Sequence, residues 1–102
     1  MKVYTETELK KALNSRETEI ILCGDIAKKY IDDRKKINVV MGIIPGVSSD
    51  DFFKLIDKIF DFVSVVLGEV FNFAKDIFKI VAEEYDVDID SEGVKFKRKN
   101  NV

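Results

Sequence analysis

Three short stretches bring reactive or ligand-forming side chains together: LCGD at 22–25, DVDIDSEG at 86–93 and KFKRK at 95–99. In the first, Cys23 precedes Gly24 and Asp25 where a strand gives way to a helix. Such positions often carry function in α/β folds, and a helix N-terminus lowers a thiol pKa. A thiolate nucleophile needs a base or a second thiol, and the chain has one cysteine and no histidine. Cys23 is therefore expected to be a small, half-buried side chain. One glycine is also too few for a phosphate-cradling loop. In the second stretch Asp88, Asp90, Glu92 and Gly93 match positions one, three, five and six of an EF-hand loop, but position twelve is Lys99, where a bidentate Glu is required. The third stretch has the cations of a nucleic-acid contact without an aromatic platform for stacking. Its Lys95 and Lys97 are expected to face Asp88 and Asp86 across a hairpin.

The absence of histidine removes the usual general base and the commonest metal ligand at once. With 17 basic and 19 acidic residues the net charge is −2, so the whole molecule exerts no pull on phosphate backbones or anionic lipid. The expectations are a non-catalytic chain, no cofactor, no metal and no nucleic-acid partner. A length of 102 residues, 46% of them hydrophobic, fits one domain with one modest core. The lone cysteine offers no internal disulfide, and MKVYTETELKK lacks the apolar core of a secretory signal, which makes a cytoplasmic location the expectation.

The elements that must position these residues follow from spacing. A strand at Val3 and Tyr4 runs into a helix, because Thr5 and Glu8 have capping-box spacing and Leu9, Ala12 and Leu13 share a face. That helix is expected to end near Asn14 and Ser15. Ile20 to Cys23 read as a strand, and Asp25 as the cap of a second helix to about Lys36, with Ile26, Ala27, Tyr30 and Ile31 on one face. INVVMGII is rich in β-branched residues and reads as a third strand, giving a βαβ unit from Ile20 to Val40. Pro45-Gly46 is a turn, and Ser48 with Asp51 a further capping box. At the other end, YDVDID and GVKFKR alternate strictly around a turn. Placing Val87, Ile89, Val94 and Phe96 on one face pairs Asp88 with Lys95 and Asp86 with Lys97 on the other.

Between these parts the polar residues from Asp50 to Glu83 fall within an arc of about 140° at ideal helical steps, only Val65 intruding. The phase is unbroken through Gly68, which favours one continuous helix over 48–84. Phe52, Ile56, Ile59, Val63, Val66, Val70, Phe73, Ile77 and Ile80 alternate spacings of four and three, the spacing of a coiled-coil seam. Phe60 and Leu67 belong to a flanking row. A helix of about 33 residues spans roughly 50 Å, while a domain of this size has a radius of gyration of about 13 Å. Either the helix curves around the domain or breaks at Gly68 and the face is core, or an overhanging apolar face marks an interface, and these eleven residues are its candidates. The partner expected is a second copy, as a homodimer, or another protein. The rival is peripheral membrane association through the Phe-rich face. Eight acids against four lysines between Asp50 and Glu84 oppose it, because interfacial helices favour Lys and Arg on their polar face. No uncharged run approaches the roughly 20 residues of a membrane span.

ETELKKALNS, EIILCGDIAKK and the KFKRK tail resemble small uncharacterised bacterial proteins with an N-terminal strand-helix-strand-helix module and a charged C-terminal strand pair. The resemblance implies that bipartite layout and no activity. The fold class expected is α+β in a single domain over 1–102: an N-terminal part to residue 44, the long helix over 48–84 and a hairpin over 86–99, the small sheet packing against the helices.

Overall fold

Thr5 ends the first extended segment because its hydroxyl is better used on a helix. Its Oγ1 accepts the Glu8 N–H at 3.1 Å, and the Glu8 carboxylate reaches back to the Tyr4 N–H at 3.2 Å. In the computed structural model, which describes residues 1–43, 52–90 and 93–99, this reciprocal cap separates strand β1 (Lys2–Val3) from helix α1 (Glu6–Asn14). Strand β2 (Glu19–Leu22) follows, then helices α2 (Asp25–Ile43), α3 (Phe52–Val65) and α4 (Lys75–Glu84), and strands β3 (Tyr85–Asp90) and β4 (Gly93–Arg98). The Pro45-Gly46 turn, the Ser48–Asp51 cap and the Ser91-Glu92 turn lie outside the described residues.

The strands form one sheet in the order β1-β2-β4-β3, with β1 and β2 parallel and the other pairs antiparallel. The α+β class with a C-terminal hairpin is thus the architecture found. The hairpin register is the expected one, Asp86 opposite Lys97 and Asp88 opposite Lys95. Lys95, however, makes its ion pair with Glu19 on the other neighbouring strand, at 3.4 Å. The apolar set Val3, Ile20, Leu22, Val94 and Phe96 is wholly buried on the opposite sheet face, against the helices. Tyr30 of α2 lies at the centre of that core, its ring 5.1 Å from Phe96, 5.9 Å from Phe78 and 6.0 Å from Phe73. Burial pushes its phenol up to about 12, so it stays neutral at physiological pH.

Two elements differ from expectation. INVVMGI is the last part of α2, not a strand, so the parallel βαβ unit is β1-α1-β2 and lies one unit earlier in the chain. Ile37 and Val40 continue the buried stripe begun by Ile26 and Tyr30 at spacings of seven and three, and this helical burial overrides the β-branched composition. At the start of α2 it is the Gly24 carbonyl that accepts the Lys28 N–H, so Asp25 lies inside the first turn. The second difference is larger: the helix expected over 48–84 is two helices, α3 and α4, separated by residues 66–74. The chain folds back, because Asp57 of α3 meets both Lys75 and Lys79 of α4, at 3.0 and 3.5 Å. The reason is size. A rod of roughly 50 Å would overhang the rest of the chain, whereas folding back lets both halves bury their apolar faces in one core and leaves a longest dimension of 36 Å.

Candidate functional site

The connector between α3 and α4 is where the fold leaves its apolar side chains outside. Gly68 takes the left-handed conformation, φ 65°, and the Glu69 N–H bonds back to the Val63 carbonyl at 3.1 Å, which closes α3. No Cβ built at Gly68 would meet another atom within 4 Å, so it is backbone conformation alone that favours glycine there.

Two side chains of α2 hold the far half of the connector. Asp33 is fully buried, and its carboxylate accepts the Asn72 N–H at 2.9 Å, the Phe73 N–H at 3.0 Å and the Asn72 side-chain amide at 3.1 Å. Burial pushes the Asp33 carboxyl above its ordinary 3.8, against the pull of those two backbone donors and of Lys36. Lys36 donates to the Val70 carbonyl at 2.7 Å and pairs with Asp32 at 3.1 Å. That contact holds Asp32 below the usual carboxylate range. The Asn72 amide also donates to the Lys29 carbonyl and to Asp32. On the other side Phe71 stacks on Phe60, ring centroids 4.2 Å apart, and both rings pack against Phe78. Lys75 beside Asp57 keeps that carboxyl low and has its own pKa raised by the same contact.

Within this frame the eleven residues of the expected interface divide. Ile56, Ile59, Val63, Phe73 and Ile77 are buried in the chain's own core, and Phe60 and Ile80 pack against it partly buried. Phe52 opens α3, and its side chain lies outside the described residues. Val66 and Val70 are exposed, at 62% and 76%, as is Leu67. Val65, the one apolar residue in the polar arc, is 81% exposed beside them, and Val39 of α2 is exposed across a groove of about 390 Å³. Asp32, Lys35, Lys36, Leu67 and Glu69 complete the lining of that groove. A second depression of about 330 Å³, lined by Phe60, Asp61, Ser64, Glu69, Val70, Phe71 and Lys75, lies on the other flank. The surface is thus a ridge of aliphatic side chains between two shallow grooves of mixed charge.

The stretches with chemical character lie elsewhere. The Cys23 thiol is partly buried and donates to the Ile21 carbonyl at 3.7 Å. Asp90 caps the hairpin turn by accepting the Gly93 N–H at 3.0 Å. In the basic tail Phe96 is core, Arg98 pairs with Glu84 at 3.5 Å and Lys99 donates to the Ala82 carbonyl at 3.3 Å. Among the described residues no three Asp, Glu, Cys or His side chains converge as a metal set, and no helix is long and apolar enough to cross a membrane. Asp33 is not among the residues expected to act, although the sequence carries a signal for it: it is the single charged member of the stripe Ile26, Tyr30, Asp33, Ile37, Val40, whose spacing faces the core. Comparison of the chain with protein-family models, with curated proteins and with solved structures finds no match.

Proposed function

We propose that this chain is a non-catalytic protein-interaction module that associates with itself through the aliphatic ridge at residues 65–70. One observation carries the reading: Val66, Leu67 and Val70 stand exposed on a connector that its neighbours hold in place, Val65 is exposed at the adjoining end of α3, and Val39 is exposed across the groove. An apolar cluster on a fixed support gains by meeting another apolar surface, since each buried aliphatic side chain contributes roughly 1.5–3 kcal/mol. A protein surface suits the ridge better than lipid does. The charges lining its two grooves cancel, Lys35, Lys36 and Lys75 against Asp32, Asp61 and Glu69, so it offers no net positive charge to an anionic headgroup. Grooves that carry both acids and bases offer a second copy opposite charges to meet about a two-fold axis.

Light scattering across a concentration series tests the reading. Wild type is expected to gain mass with concentration while Val66→Asp/Val70→Asp stays monomeric with an unchanged circular dichroism spectrum. Equal association of the two proteins would refute the ridge as the contact. Flotation with neutral and anionic vesicles tests the lipid alternative, and no co-flotation is expected.

A further inference from the structure

We infer that residues 66–74 are a hinge through which two copies of the chain exchange their C-terminal units, α3 and α4 joining into one helix in each copy. The inference rests on the reading that the chain self-associates and names the geometry by which it does so. Its first support is the sequence of the connector. A surface link needs only to reach, yet Val66, Val70 and Phe73 continue at helical spacing the stripe that Ile56, Ile59 and Val63 begin and that Ile77 and Ile80 complete. The segment is patterned as helix and folded as a link.

The second support is that the contacts an exchange must re-form already exist within one chain. Asp57 with Lys75, Phe60 against Phe78 and the β2–β4 ladder from Glu19↔Lys97 to Leu22↔Val94 all join the part before the connector to the part after it. In an exchanged dimer each is made by the partner copy, twice over, and the two-fold axis closes the assembly. Only the hinge changes. The left-handed Gly68, the Glu69-to-Val63 bond, the Asp33 contacts to Asn72 and Phe73, the Asn72 side-chain contacts to Lys29 and Asp32 and the Lys36 contact to Val70 are given up, which leaves the buried Asp33 carboxylate with Lys36 as its counter-ion. Each freed N–H finds the carbonyl four residues earlier in the joined helix. The two joined helices then cross where Val66 and Val70 lie, so the aliphatic side chains exposed in the monomer cover one another.

Gly68 sets the balance and so supplies the test. Alanine there is disfavoured at φ 65° and favoured in a continuous helix; asparagine tolerates the left-handed turn and is a poor helix former. Neither substitution creates a clash, because a Cβ at this site meets nothing. With two hinges per dimer, Gly68→Ala is expected to lower the dimer dissociation constant on the order of several hundred-fold, and Gly68→Asn to leave it close to wild type. The measurement combines these variants with Asp57→Cys/Lys75→Cys in a Cys23→Ser background, refolded from urea at high concentration and treated with a short thiol-specific cross-linker. The expected result is a Gly68→Ala dimer whose cross-links join different chains, seen as a covalent dimer on a denaturing gel. Dimers linked only within chains would overturn the exchange and leave surface association standing. Monomers in every variant would overturn both, and equal interchain linking in the Ala and Asn variants would overturn the role of the hinge.

Discussion

Asp33 decides where the connector sits, and it does so from a position that the helical repeat assigns to the core. Its carboxylate takes two backbone N–H groups of residues 72 and 73 that no helix satisfies. Asp33→Ala removes the acceptor and leaves the Phe73 donor buried and the Asn72 donor part-buried without a partner, which is expected to cost about 2–3 kcal/mol at neutral pH, measured by urea denaturation. The pH dependence has an unusual sign for a carboxylate. Because burial raises its folded pKa above 3.8, the folded chain holds this proton more tightly than the unfolded chain does. Its contribution therefore improves as pH falls through the window between the raised value and 3.8, and worsens as pH rises through it. Asp32 and Asp57, held low by Lys36 and Lys75, run the other way: their stabilisation is present above the ordinary carboxylate value and is lost on acidification. Urea melts at neutral and mildly acidic pH are expected to show wild type gaining on Asp33→Asn as pH falls. A difference that shrinks instead would contradict the assignment.

At the scale of elements, legibility depended on whether the pattern could read geometry. Strict alternation settled the hairpin down to its register, because slipping by one residue would send Val94 and Phe96 to the solvent face. Gly93 illustrates what alternation could not foresee. It pairs with Asp90 at φ 150°, and a Cβ there would lie 2.8 Å from the Leu22 carbonyl oxygen. Gly93→Ala is expected to destabilise the protein by about 1–3 kcal/mol, read as a lowered melting temperature. Periodicity misjudged α3 and α4 for a definite reason: Val66, Val70 and Phe73 keep helical spacing through the connector itself, so no slip in phase marks where α3 ends and α4 begins. The break at Gly68 was visible only as a permitted site. For the end of α2, composition pointed to a strand, while the burial of Ile37 and Val40 obeyed helical spacing. Spacing was the better guide.

For the molecule as a whole, folding the helix back reconciles its length with a longest dimension of 36 Å, and it divides the apolar seam into two fates. The inner fate is core and the outer is the ridge at 65–70, a distinction that sequence pattern cannot make because both are apolar at the same spacing. Val63, fully buried, and Val66, 62% exposed, lie one turn apart and test the division. Val63→Asp is expected to cost about 3 kcal/mol or more and to unfold much of the population. Val66→Asp is expected to shift stability by no more than about 0.5 kcal/mol while weakening association. Sedimentation velocity of wild type and Val66→Asp/Val70→Asp over a wide concentration range tests the central claim most directly. Wild type is expected to show a concentration-dependent rise in sedimentation coefficient and the double variant to remain a folded monomer throughout; a wild type that stays monomeric at the highest concentration would refute self-association.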